Sequence, residues 1–249
     1  PYWYLGLAYL LKEESENAQA IWLSGWFEAP GDETTEQKTE TLVKVLEQEA
    51  ERQVVKEAFF KSAKIRENIQ EIEPENLNNT LHLFRNLVKI NSFSVEYLEE
   101  WEFWQRLETA EHQDIDEVML GDFIVYIFAN FSVEDKERLM NIAFQVVENK
   151  ADFLKSVVVA CGKLAFKQSK YKIAVEILKI ADSIQPNFKP TLQYLIQIQV
   201  MIQCYEEGIE AAEKLIENSE TLIEKVDARF FLLKALLDSG RWKQIPELV

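Results

Sequence analysis

Glycine and proline are scarce, 7 and 6 residues of 249, so most of the chain is expected to be helical and no glycine loop is available to cradle a phosphate. Histidine is scarcer. His82 and His112 stand thirty residues apart with no second histidine at ligand spacing, which argues against a metal centre. Two cysteines, Cys161 and Cys204, exclude a disulfide framework; they read as buried thiols on the first helices of successive units, in a reducing compartment, and the expected location is cytoplasmic. Long apolar runs are missing too. The longest covers residues 123–129, far below the roughly 18 needed to span a bilayer, so no membrane partner is expected. With no initiator Met and no basic-then-apolar leader, the chain reads as a soluble segment excised from a longer polypeptide. Basic residues number 27 against 43 acidic ones, a formal charge of -16 that repels phosphate backbones and makes nucleic acid a poor partner.

The excess of negative charge is local. Residues 151–249 hold 13 basic and 13 acidic side chains, and residues 1–150 hold 14 and 30. Between 95 and 117 nine acidic residues accompany Arg106 alone, a pattern that reads as a solvated helix face or as a dock for a basic partner.

What the chain does contain is one spacing written twice. Gly162, Ala174, Leu178, Ala181 and Pro186 fall at the small-residue, aromatic and proline offsets of the 34-residue tetratricopeptide unit, and Leu5, Gly6, Tyr9, Ala18, Trp22, Gly25 and Pro30 repeat them near the start. Such a unit is two antiparallel helices that bury an apolar face only by stacking on a neighbour. Close crossing requires small side chains, so Gly162 is expected to face Ala174, and the next unit matches Ile196 with Gly208. Tyr171 and Tyr205 open their second helices 34 residues apart, and a third unit is expected from Asp227, with Trp242 after Ser239 and Gly240.

The predicted fold is an all-α, tetratricopeptide-like solenoid, degenerate in the middle. Apolar periodicity and turn residues predict helices over 2–12, 15–28, 35–53, 54–72 and 76–90, with Leu77, Leu81, Phe84 and Leu87 on one face of the last. Ser132 and Asp135 resemble a capping box. Residues 123–128 have strand-like composition but helical surroundings, and a buried helix is expected. We divide the chain into helix pairs over 1–76, an acidic degenerate segment over 77–150 where the repeat register is lost, and further units over 151–249.

Three stretches carry a family resemblance: Trp3-Tyr4-Leu5-Gly6-Leu7-Ala8-Tyr9-Leu10-Leu11, residues 69–79 (Ile-Gln-Glu-Ile-Glu-Pro-Glu-Asn-Leu-Asn-Asn), and residues 221–226 leading into Leu232. The chain resembles the helical amino-terminal region of cyanobacterial SPINDLY-type proteins, which look like bacterial relatives of the O-linked N-acetylglucosamine transferases, and of related repeat-bearing methyltransferases. The resemblance implies a non-catalytic arm without a cofactor, which feeds or positions protein substrates for a downstream catalytic domain. In the eukaryotic relatives asparagines line the inner surface; the inward positions here read otherwise.

Those inward positions follow from the register of the first helices. They are Ser156, Val159, Lys163, Phe166 and Lys167, then Pro190, Gln193, Gln197, Val200 and Met201, then Asp227, Phe230, Lys234, Leu237 and Asp238. Lys163, Phe166, Lys167, Gln193, Gln197, Phe230 and Lys234 together suit an extended, somewhat acidic peptide. A chaperone-type carboxylate clamp would need basic and asparagine side chains where Val159, Gln193 and Phe230 stand. An enzyme reading rests on Asp114 and Asp116 beside His112, a possible metal pair that the start of a helix also explains as capping. Trp22, Trp26, Trp101 and Trp104 read as packing.

Overall fold

A computed structural model describes residues 2–28, 34–109, 115–129, 133–241 and 243, the side chains of 133–135 excepted. Among them are fourteen α-helices and no strand. They are α1 (Tyr2–Leu10), α2 (Ser15–Glu28), α3 (Thr35–Val55), α4 (Phe59–Ile72), α5 (Leu77–Lys89), α6 (Glu96–Glu100), α7 (Phe103–Thr109), α8 (Glu117–Phe128), α9 (Val133–Val146), α10 (Lys150–Gln168), α11 (Tyr171–Ile184), α12 (Lys189–Met201), α13 (Tyr205–Glu217) and α14 (Leu222–Asp238). The fold is an all-α, solenoid-like array of helix pairs. By its contacts the chain divides into two compact units, Pro1–Arg106 and Leu107–Val249.

The starts of the helices are written in polar side chains. Thr34 with Gln37 and Thr221 with Glu224 form reciprocal capping boxes on α3 and α14, each satisfying two otherwise orphaned backbone N–H groups. Asn76, Asp116 and Asn149 accept from the third residue on, capping α5, α8 and α10. The Thr221 cap starts α14 at Leu222, five residues before the expected Asp227. Pro30, Trp242, His112, Asp114 and Ser132 lie outside the described residues.

The turns inside the pairs share one device. Glu13, Glu57, Ser169 and Gln203 are left-handed, with φ of 67°, 57°, 57° and 64°, and the second helix of the pair starts two residues after each, at Ser15, Phe59, Tyr171 and Tyr205. At Gln203 the Gln203 N–H donates to Val200 O and the Cys204 N–H to Gln199 O, a Schellman closure; Glu13, Glu57 and Gly240 are closed the same way. Cys204 is therefore the N-cap of α13, in the turn, and does not lie on a first helix. The closure at Glu57 likewise ends α3 at Val55 and delays α4 to Phe59, past the expected boundary at Val54.

In the amino-terminal unit, Leu7, Leu10, Ala18, Trp22, Leu42, Leu46, Ala50, Ile65 and Ile69 of α1 to α4 form one core. Gly6 is buried because a β-carbon there would overlap the indole of Trp22, whose Nε1 donates to Trp3 O at 3.2 Å. Tyr9 packs half-buried on this core, and Ala18 is fully buried. The expected face of α5 is buried, and Phe84 on it is enclosed by the rings of Phe93, Trp101 and Phe103 at 5.3–5.5 Å. Between α4 and α5 runs a buried polar network. Arg66 donates to Asn79 Oδ1 and to Glu51, Asn79 donates to Arg66 O and Gln70 Oε1, and Asn86 donates to Ser62 Oγ at 2.8 Å.

In the carboxyl-terminal unit, alternate helices stack: α10 on α8 and α12, α12 on α14, and α9 on α11. The helices α8 and α9, which touch each other little, extend this alternation through residues where the repeat spacing is not legible. Residues 123–128 are helical, as expected, and buried except for Tyr126. Gly121 brings α8 onto α10, where a β-carbon would press on Phe153 O and Ser156. Gly208 brings α13 onto Ile196 and Val200 of α12. Gly162 differs from expectation, since the group that fills the space above it is the ring of Tyr194 on the next first helix and not Ala174. Ala174 and Ala181 are fully buried on α11, and Pro186 stands exposed in the turn before α12.

Candidate functional site

The exposed large apolar side chains of the carboxyl-terminal unit are unevenly distributed. Among the described residues they are Val118 and Tyr126 on α8, Val159 and Phe166 on α10, Met201 on α12, and Leu222, Ile223, Val226, Phe230 and Leu237 on α14; none is on α9, α11 or α13. On each helix with several, the main members recur at helical spacing, which places them on one face: 118 and 126 with Asp122 between, 159 with 163 and 166, and 223, 226, 230 and 237. Neighbouring faces are joined by side chains. Lys163 Nζ donates to Asp122 Oδ1 at 2.8 Å across α10 and α8, and the rings of Phe166 and Tyr194 lie 6.4 Å apart across α10 and α12.

The predicted groove residues largely belong to this surface. Lys163, Lys167 and Lys234 are exposed, Phe166 and Phe230 are 42% and 64% exposed, and Gln193 and Gln197 flank Tyr194 half-buried. Two of the inward positions are covered instead. Ser156 is buried and donates to Val118 O at 2.5 Å, closing the α8–α10 crossing, and Val200 packs under α13. The ion pair to Asp122 reduces the pull of Lys163 on an anionic partner; among the described residues Lys167 and Lys234 carry no ion pair. The start of α14 is anchored to α12 by Lys189, whose Nζ donates to Glu224 Oε1 at 2.6 Å. That bond, with the backbone N–H groups of Thr221 and Glu220, holds the Glu224 carboxyl down at about 2.

The amino-terminal unit has two clefts that no single stretch of sequence reveals. One encloses about 470 Å³ between α2, α3 and α4, walled by Trp22, Leu23, Trp26 and Ile72 and rimmed by Gln19, Thr35, Thr39, Asn68 and Glu71. Trp22 and Trp26, read as packing, pack with one edge and line this cleft with another. The second cleft, of about 500 Å³, is walled by Glu67, Glu71, Glu75, Glu100, Glu102, Trp101 and Arg106. Glu100 and Glu102 belong to the acidic run, which here faces more carboxylates from the end of α4. Arg106 Nη1 donates to Trp101 O at 3.1 Å, and burial depresses its pKa against the pull of Glu75 and Glu102. Glu71 is common to both clefts.

No protein-family model and no curated protein matches the chain.

His112 and Asp114 of the enzyme reading lie outside the described residues, and Asp116 alone of the three can be placed. Asp116 is engaged as the cap of α8, accepting from the Met119 N–H at 2.9 Å, and among the described residues no three of His, Cys, Asp or Glu are arranged to hold a metal ion. The Cys161 thiol is fully buried, and desolvation drives its pKa far up, so it persists as an inert thiol. Among the described residues no helix is long and apolar enough to cross a membrane.

Proposed function

We propose that the carboxyl-terminal unit is a peptide- or protein-binding surface presented by α8, α10, α12 and α14, and that the chain is a non-catalytic scaffold of the tetratricopeptide type. One observation carries this reading: among the described residues of this unit, the exposed large apolar side chains lie on the first helices of the pairs and spare the second ones. Exposed apolar side chains grouped on one side of an array mark an interaction surface, whereas scattered ones would not. Lysines and glutamines interleaved with Phe166 and Phe230 supply both contact area and backbone hydrogen bonding for an extended chain. The net charge disfavours nucleic acid. The sequence resemblance to SPINDLY-type proteins supports reading this scaffold as the recruiting arm of a larger transferase, with a glycosyltransferase of the O-linked N-acetylglucosamine type favoured as its catalytic partner domain. The inert, reduced thiol of Cys161 suits a cytoplasmic setting.

The test is selection of a displayed random peptide library on the immobilised chain. Enriched peptides are expected to bind Phe166→Ala/Phe230→Ala at least about tenfold more weakly, with unchanged helicity. Lys163→Ala/Lys234→Ala is expected to weaken them less. Equal binding to all three proteins would remove the surface assignment, and sugar transfer by the chain alone would overturn its non-catalytic character.

A further inference from the structure

The cleft between α2, α3 and α4 has a chemical bias. Its floor is two indoles with Leu23 and Ile72, and its α4 wall offers acceptors. Asn68 is 9% exposed; its Nδ2 donates to Lys64 O at 2.9 Å, which fixes the amide orientation, and its Oδ1 receives no hydrogen bond from the described residues. One turn along the same face, Glu71 accepts from Gln19 Nε2 at 3.3 Å and has no cationic partner among the described residues. The hydroxyl of Thr39 already donates to Thr35 O. Among the described residues the polar groups left over here are two oxygen acceptors on α4, one of them charged, and one donor, the buried Nε1 of Trp26, which has no hydrogen-bond partner.

We propose that this cleft receives a long cationic side chain, arginine or lysine, from a partner peptide. The alkyl stem lies along the half-buried Trp26, with the buried Trp22 beneath it, and a guanidinium or ammonium also gains from the Trp26 ring. The head group donates to Asn68 Oδ1 and the Glu71 carboxylate, both of which lack a charged donor among the described residues. The volume of about 470 Å³ lies within the range of sites that enclose a ligand of this size. The acidic cleft adjoins at Glu71, so a peptide with further basic residues meets carboxylates as it leaves the site. The amino-terminal unit carries 20 acidic and 11 basic residues over 1–106, a balance that draws such a peptide in. This site is separate from the surface on the first helices of the other unit and does not depend on it.

The full chain, labelled with nitrogen-15, is titrated with N-acetyl-arginine methylamide at constant ionic strength while the six tryptophan indole N–H signals are followed, assigned by single Trp→Phe variants. The Trp22 and Trp26 signals are expected to shift saturably, and N-acetyl-norleucine methylamide, which keeps the stem and lacks the charge, is expected to bind at least about fivefold more weakly. Glu71→Gln, at an exposed position, is expected to weaken arginine binding by a similar factor, with the remaining indole signals unmoved as the sign of an intact fold. Absence of saturable shifts at Trp22 and Trp26 overturns the proposal. So does equal binding of the norleucine derivative, or an unchanged affinity in Glu71→Gln.

Discussion

In the amino-terminal unit α4 and α5 meet through buried polar groups, whereas in the carboxyl-terminal unit neighbouring helices meet through glycines pressed against larger side chains. Arg66, Asn79, Asn86, Ser62 and Thr80 are all buried at the first kind of interface. Gly121, Gly162 and Gly208 create the second. A polar network is satisfied in one register only, so it fixes how two helices mate and adds little net stability. A close apolar crossing stabilises through area and dispersion, and it is repeated wherever a small residue recurs. The contrast fits the roles proposed for the two units. Arg66 also bonds Glu51 of α3, so the network fixes how α4, one wall of the cleft, mates with α3 as well as with α5, and a surface spread over four first helices needs a repeating crossing.

Arg66→Ala attacks the polar interface at its centre. The guanidinium is 2% exposed and bonded to Glu51 and Asn79, with desolvation lowering its pKa against the attraction of Glu51. Its removal strands Asn79 Oδ1 and is expected to cost about 3 kcal/mol in urea unfolding. Loss of less than about 1 kcal/mol would show that packing, and not the network, joins α4 to α5. Gly162→Leu is the matching attack on the apolar interface. It is expected to cost about 1–3 kcal/mol because the added side chain must displace Tyr194. Gly162→Leu/Tyr194→Ala should recover part of that loss, and no recovery would place the clash elsewhere.

Much of the fold was legible because helix periodicity and caps are local. The ends of α2 and α4, the buried face of α5 and the helical state of residues 123–128 follow from patterns within about twenty residues. What escaped depends on groups far apart or on conformation without a compositional mark. The start of α4 was placed five residues early because the turn closes on Glu57, a left-handed residue that is neither glycine nor asparagine, while Val54 and Val55 prolong the helical pattern. Gly162 was paired with Ala174 because the repeat specifies the partner within a pair. A glycine on a first helix also borders the next first helix, and Tyr194 takes that space. Among the groove residues, exposure followed from spacing, but the capture of Lys163 by Asp122 required knowing that α8 packs on α10. The cleft of Trp22, Trp26, Asn68 and Glu71 spans three helices. Its available signals were the indoles four apart on α2 and the polar residues three apart on α4.

The turn device yields a smaller prediction. Gln203→Gly replaces a side chain in the left-handed region, where a β-carbon crowds the backbone, and leaves the closing bonds to Val200 O and Gln199 O in place. It is expected to stabilise the chain by up to about 1 kcal/mol in urea unfolding. A destabilised variant would mean that the glutamine side chain supports the turn.

The smallest effect is expected at the link between α12 and α14. Glu224 both caps α14 and holds Lys189, and the second role requires its charge. Its carboxyl titrates at about 2 in the folded chain, below the ordinary value of 4.5, so the folded state binds this proton less readily than the unfolded one. The resulting stabilisation is present above about pH 4.5 and is lost as the pH falls toward 2. Glu224→Gln keeps an acceptor for the capping box and removes the charge, which isolates the ion pair from the cap. At neutral pH the variant is expected to melt slightly below the parent, because exposed ion pairs contribute little and are screened by salt. The gap should narrow as the pH is lowered through that window and as salt is added. A gap that persists at pH 2 would assign the loss to the cap, and the anchoring of α14 would then rest on its buried face of Ala228, Leu232, Ala235 and Leu236.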